Sequence, residues 1–309
     1  MSAPERIPAR SVSAPTDLAA LDLLTRGALE VRGRIREASN AVLLCTVSLE
    51  GREAACVYKP VRGERPLWDF PDGTLAQREV AAYEVSEALG WGLVPPTVLR
   101  DGPYGEGMCQ LWIDGPEETA GTPGTAETPE TDGAPEADGA PETDGMPGAG
   151  PLLALVDGEE PGEGWKAIGL AEVGEGRTAL LVHADDPRLR RLAVLDAVIN
   201  NGDRKGGHLL LDAAGRLYGI DHGVTFNAED KLRTLLWGWA GDPLTDEATA
   251  ALEGLRAALA AGEPLAVRLG GLITGAELEA VRERVAELLA TGRHLEPGGD
   301  WPAIPWPPV

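Results

Sequence analysis

The sequence predicts an α+β fold in two lobes, a β-rich N-lobe followed by a mainly helical C-lobe. Three observations carry this expectation. Before residue 113 the apolar residues fall in strand-length runs divided by turn signals. After residue 188 they recur at helical spacing. Between the two the composition breaks, because Gly115 to Gly150 is almost wholly Gly, Pro, Ala, Thr, Glu and Asp. The expected divisions are a flexible N-terminus (1–20), the N-lobe (21–113), an acidic, Pro/Gly-rich disordered insert (114–164), the C-lobe (165–296) and a Pro- and Trp-rich tail (297–309).

Taken in order, Glu30 to Arg36 alternates and reads as a strand, and Ala38-Ser39-Asn40 as a turn. Ala41 to Leu49 is a second strand, Glu50-Gly51-Arg52 a turn, and Ala54 to Val61 a third strand. Phe70-Pro71-Asp72-Gly73 turns into an amphipathic helix, Leu75 to Leu89, which Gly90 stops. Pro95 to Leu99 and Gly107 to Ile113 are two more strands. Beyond the insert, Arg188 to Ile199 is a helix with Leu189, Leu192, Leu195, Val198 and Ile199 on its apolar face. A turn holds Asn200 to Gly207. A hairpin follows from Leu209 to Ile220, and helices near Asp246–Ala261 and Gly275–Leu289 close the fold. This is the element order of bilobal kinase-like folds.

The stretch Gly115 to Gly150 holds nine acidic residues and no basic ones, and it repeats Glu-Thr-Asp-Gly-Ala-Pro with small changes. So little apolar surface cannot offset the entropy of ordering the segment. An insert in a tolerant loop explains it, with a tail for a protein partner as the alternative. The formal net charge is -23, and the chain outside the insert is acidic too, which argues against nucleic acid and anionic lipid as partners. The three cysteines, Cys45, Cys56 and Cys109, are scattered, fitting a reducing compartment rather than a disulfide framework. The first twenty residues have no apolar signal core, and no evident helix would anchor the chain in a membrane. A cytoplasmic location is expected.

Three sets of residues carry candidate chemistry. Lys59 interrupts the apolar third strand, where an ammonium is costly unless it is paired or faces a ligand. The helix that follows offers Glu79 and Glu84 as partners, and Glu79 is the better placed. The turn around Ser39 and Asn40 could cover phosphates with backbone amides, or simply close a hairpin. Asp196, Asn200, Asn201, Asp203, Arg204, Lys205 and His208 cluster at the end of the apolar helix, and Asp221-His222-Gly223 follows the hairpin. Such polarity is poor core material. It suits a metal-bound anion, with carboxylates for the cation and basic groups for phosphate.

Asp203-Arg204-Lys205-Gly206-Gly207-His208, followed by Ile220-Asp221-His222-Gly223, resembles the catalytic and metal loops of the phosphatidylinositol 3-/4-kinase-like superfamily, to which HipA-type kinases are related. Within it the chain looks most like an uncharacterised actinobacterial kinase-like group, through Val57 to Val98 and Leu181 to Phe226. The resemblance implies a PI3/4-kinase-like, bilobal protein-kinase-like fold and the cofactors ATP and Mg2+ or Mn2+. It implies that Lys59 binds ATP phosphates and is held by Glu79, and that Gln110, Leu111, Trp112 and Ile113 form the hinge that reads adenine. It also implies that Asp203 serves the acceptor hydroxyl, with Arg204 and Lys205 beside it, and that Asp221 ligates the metal. Two positions depart from the pattern. His208 stands where the family has a metal-binding Asn, and imidazole suits Mn2+ better than Mg2+. Lys205 stands where lipid kinases carry a His, and its charge can serve the same phosphate.

The expected function is therefore an ATP-dependent phosphotransferase acting on a hydroxyl of a protein or small polar molecule. A regulatory nucleotide-binding pseudokinase is the alternative that His208 raises. A metal-dependent hydrolase using His208, Asp203, Asp221 and His183 or His222 is the third.

Overall fold

The computed structural model describes residues 5–6, 14–35, 41–115, 152–172, 177–298 and 302–308. Its first half is a six-stranded sheet. Strands β2 (Ala28–Ile35), β3 (Val42–Leu49), β4 (Arg52–Pro60), β5 (Thr97–Gly102) and β6 (Gly105–Leu111) lie in the order β2-β3-β4-β6-β5, and the two-residue β1 (Glu5–Arg6) pairs parallel with β4. Register follows the turns. Between β3 and β4, Glu50 and Gly51 both take positive φ, the geometry of a tight two-residue hairpin, and Leu49 pairs with Arg52.

The alternation along β4 sends Cys56 and Tyr58 to one side, where they pack with Leu43, Val98 and Leu111 under helix α1 (Ala14–Arg26). Leu23 and Leu24 of α1 are fully buried there. This helix begins inside the stretch 1–20 expected to be flexible, because its later leucines complete the sheet's covering.

Lys59 lies on the opposite side of β4, toward helix α2 (Leu75–Leu89). Thr74 and Gln77 form a capping box at its start, and Gly90 in the left-handed region ends it. Glu64 adds a second cap from afar, its two oxygens accepting the amides of Leu75 and Ala76. Although α2 lies in sequence between strands β4 and β5 of the first sheet, its buried residues join the larger core formed with helices α3 (Pro187–Ile199), α4 (Asp246–Ala258), α5 (Pro264–Gly270) and α6 (Gly275–Thr291).

A second sheet, not anticipated from sequence, comprises β7 (Leu153–Val156), β8 (Trp165–Glu172) and β9 (Thr178–Ala184) in the order β7-β9-β8. Strand β7 falls inside the 114–164 stretch expected to be disordered. Leu152 and Leu153 are buried, and apolar content resumes right after Gly150. The rest of the insert lies outside the described residues, as does the turn at Ser39 and Asn40. Helix α3 ends at Asn200, in the left-handed region, and delivers the chain into the polar loop. The short hairpin β10 (Leu209–Leu211) and β11 (Leu217–Gly219) then carries it to Asp221. No helix among the described residues is long and apolar enough to cross a membrane.

Candidate functional site

The centre of the site is an ammonium between two carboxylates. Lys59 Nζ lies 2.6 Å from Glu79 Oε1 and 2.9 Å from Asp221 Oδ1. Of the two helix carboxylates that could reach the lysine, Glu79 makes the contact, whereas Glu84 pairs with Arg268. The second oxygen of Glu79 accepts the His222 backbone amide at 2.9 Å. One carboxylate on α2 thus ties the β4 lysine to the loop after β11.

These charges shift one another. Burial works against the Lys59 ammonium, but Asp221 and Glu79 together outweigh it and hold its pKa above the usual lysine value. Burial pushes Glu79 upward against the pull of Lys59. Lys59 holds Asp221 well below the usual carboxylate range, and its side chain keeps 50% of its surface open to solvent. Asp221 also sits at φ 60, in the left-handed region that a non-glycine residue adopts at a cost.

Beneath the cleft the loop is cross-braced. Asp196 and Arg204 are both 0% exposed. The Asp196 carboxylate accepts from Arg204 Nε and NH2 at 2.9 to 3.2 Å, from Asn201 Nδ2 at 2.9 Å and from Thr234 Oγ1 at 3.3 Å. Arg204 also donates to the Ile220 carbonyl at 2.9 Å and meets His222 Nε2 at 2.7 Å. Burial and then the adjacent guanidinium hold His222 well below the ordinary imidazole pKa, so Nε2 is the acceptor in that contact. Arg204, expected beside the reacting group, has its donors turned inward onto Asp196, Ile220 and His222, where they position the loop from below.

Above this brace, Asn201 Oδ1 accepts the Asp203 amide at 3.0 Å, and Lys205 Nζ lies 3.0 Å from Asp203 Oδ2. His208 Nε2 lies 3.4 Å from Asp221 Oδ2, and burial lowers the His208 pKa. Neutral imidazole nitrogen and carboxylate oxygen therefore meet at one point, a donor pair that suits a divalent cation. Among the described residues no group of three or more His, Cys, Asp or Glu side chains could hold a metal. A cation bound here takes its remaining ligands from water or from the substrate, as Mg2+ does at phosphate sites.

The hydrolase ligand set is not assembled. His183 bonds the Ala184 carbonyl and the Gly238 amide and packs at a tilt against Trp239, and His222 is taken by Arg204.

A cleft of ≈ 890 Å³ opens between the end of β6 and the β10–β11 hairpin, lined by Val57, Trp112, Ile113, Leu210 and Ile220 among others. The expected hinge borders it, but several of its groups are committed elsewhere. Gln110 donates to Thr97 Oγ1 at 2.9 Å, the Leu111 amide to Pro96 at 2.9 Å, and the Trp112 amide to Ala55 at 3.1 Å. Ser39 and Asn40 lie outside the described residues. Sequence reasoning missed Thr234 and Glu64, whose roles rest on contacts across 38 and 11 residues that no local pattern announces.

The chain is 48% identical over 288 residues to protein Rv2133c of Mycobacterium tuberculosis (strain ATCC 25618 / H37Rv), spanning 92% of this chain and 94% of the relative. No protein-family model matches the sequence. Similar solved structures include the Golgi casein kinase with Mn/ADP bound (TM-score 0.48, 12% identity, 90% of this chain and 76% of that one). Hydra Fam20 with sugar gives 0.48 at 12% identity over 94% and 91% of the two chains. The Helicobacter pylori proinflammatory kinase CtkA gives 0.40 at 9% identity over 87% and 94%. With TM-scores this low the likenesses carry no functional weight, and the chemistry has to be read from the side chains.

Proposed function

We propose that this chain, which belongs to the family of protein Rv2133c, is an ATP-dependent phosphotransferase of the bilobal kinase-like, PI3/4-kinase-like kind. One observation carries the proposal: the Lys59 ammonium is shared between a fully buried carboxylate, Glu79, and a solvent-open one, Asp221. Structural ion pairs do not need that asymmetry. A phosphate site does, since one carboxylate keeps the lysine in place while the other faces the ligand.

In this reading Lys59 binds ATP phosphates, Glu79 fixes it, and adenine enters the cleft beside Trp112 and Ile113. Asp221 and His208 hold Mg2+ or Mn2+, which neutralises phosphate charge when bound. Asp203 accepts the proton of the acceptor hydroxyl, and Lys205, on its Oδ2, fixes its orientation and offers positive charge to the transferred group. Arg204 shapes the loop through Asp196. The acceptor is a hydroxyl of a protein or a small polar molecule, because the acidic charge disfavours nucleic acid and anionic lipid. A cytoplasmic site of action and a protein partner for the acidic insert belong to the same proposal.

The test is ATP turnover by the purified chain with Mg2+ and with Mn2+, using Asp203→Ala as the control. Turnover that the variant abolishes supports the proposal. A wild-type chain that turns over no ATP with either cation sinks it.

A further inference from the structure

The Pro- and Trp-rich segment 302–308 does not dock through its tryptophan, since Trp306 is 75% exposed. It docks through its carbonyls. Ala303 O accepts the Thr234 amide at 3.1 Å and the Trp237 indole N–H at 2.8 Å. Ile304 O accepts from Arg233 NH2 at 3.4 Å, and Pro308 O accepts the Gly206 amide at 2.9 Å. Pro305 is buried, and Ile304 packs against the main core.

Among the described residues these donors come from the turn at Gly206 and from the stretch Arg233 to Trp237. Gly206 opens the single helical turn Gly206–His208, with Lys205 just before it and His208 at its end. Arg233 and Thr234 form the strip that pairs with the Asp203 loop, where the Arg204 amide bonds Arg233 O, the Arg233 amide bonds Asn201 O, and Arg204 and Thr234 form a parallel bridge. Thr234 also reaches Asp196. A chain of hydrogen bonds therefore runs from Ala303 through Thr234 and Asp196 to Arg204, and a second bond pins Gly206 between the two candidate site residues Lys205 and His208.

We infer that segment 302–308 is a positioning brace for the loop that carries Asp203, Lys205 and His208, and that phosphotransfer depends on it. It braces rather than blocks, because Asp203 and Asp221 keep 30% and 50% of their side-chain surface open to solvent with the segment docked. Gly206 is buried, so without Pro308 O its amide has no partner and the turn leading to His208 loses its anchor. The inference goes beyond the phosphotransfer proposal and rests on it only for activity.

The test replaces residues 302–308 with a Gly-Ser run in the full chain. Two readouts are taken: amide exchange at Gly206 and Thr234, and ATP turnover. Exchange at both amides should rise at least tenfold, while amides of α6 keep their protection. The kcat should fall at least tenfold with KM for ATP nearly unchanged, and a peptide of residues 299–309 added in trans should restore it. Unchanged exchange at Gly206 and Thr234 overturns the inference whether or not the chain is a phosphotransferase. Faster exchange with equal or higher turnover overturns it too, leaving a spectator or an inhibitor. If the replacement fails to fold, Trp237→Phe removes one donor while keeping an aromatic ring at the position. It should speed exchange at Thr234 and lower kcat, and no change in either is the overturning result. A wild type without turnover defeats the phosphotransfer proposal instead, and the exchange arm still decides whether the brace exists.

Discussion

Removing the carboxylate beneath the polar loop should be among the most damaging single changes in the chain. In Asp196→Ala, Arg204 keeps only the Ile220 carbonyl and His222 Nε2, and its guanidinium stays at 0% exposure. Asn201 Nδ2 and Thr234 Oγ1 lose their acceptor in the same step. Breaking a buried ion pair from one side costs about 3–5 kcal/mol. Domains are stable by only about 5–15 kcal/mol, so a large part of the total goes. Urea denaturation followed by tryptophan fluorescence measures this, and the midpoint should drop with the slope unchanged. The companion is Asp196→Leu with Arg204→Met, which removes both charges and restores apolar contact. It should recover most of the lost stability but little ATP turnover, since the Ile220 and His222 contacts that shape the Asp221 loop are also gone. A loss below about 1 kcal/mol in Asp196→Ala refutes the reasoning, because Arg204 would then have found other partners and the carboxylate would not be the hub.

Lys59→Ala should lower ATP turnover by about 10² to 10³, the usual effect of removing one preorganised group at a phosphate, and steady-state kinetics read it directly. His208→Asn exchanges imidazole for an amide oxygen, so the ratio of Mn2+- to Mg2+-supported turnover should fall; an unchanged ratio removes His208 from the metal site. Burial lowers the pKa of His183 and of His294 to about 4. The unfolded chain therefore binds more protons than the folded one between pH about 6.5 and 4, and stability falls as pH falls through that window. At about 1.4 kcal/mol per pH unit each histidine withdraws about 2 kcal/mol by pH 5, which urea midpoints at pH 7 and pH 5 will show. Gly238→Ala sets its new methyl against Lys166 and His183, an overpacking cost of about 1–3 kcal/mol readable as a drop in Tm.

The strands β2 to β6, helix α2 and the α3–loop–hairpin unit were legible in the sequence, because each has its own period and its own stop signal. The turn at Glu50-Gly51 and the caps at Thr74, Gly90 and Asn200 are local chemistry. Helix α1 was not legible, because its exposed Leu18 and buried Leu23 and Leu24 sit behind a Pro- and Ser-rich start that reads as a tail. The second sheet hid behind the insert, whose composition dominates its surroundings. At the site, Lys59, Glu79, Asp203 and Asp221 stood out as costly charges in or beside apolar runs. Direction is what the chain alone could not show. Asp196 and Arg204 have the same residue types as the cleft groups but face inward, and only the fold separates a carboxylate that meets solvent from one that holds the loop.

The left-handed Asp221 sets two local effects against each other. Glycine adopts φ near 60 without the steric penalty that Asp221 carries, so Asp221→Gly relaxes the backbone. The same change takes from Lys59 one of the two carboxylates that outweigh the cost of its burial. The bent backbone is thus locked in by a charge pair, and a screen for thermal endurance alone finds no free route to glycine at this position.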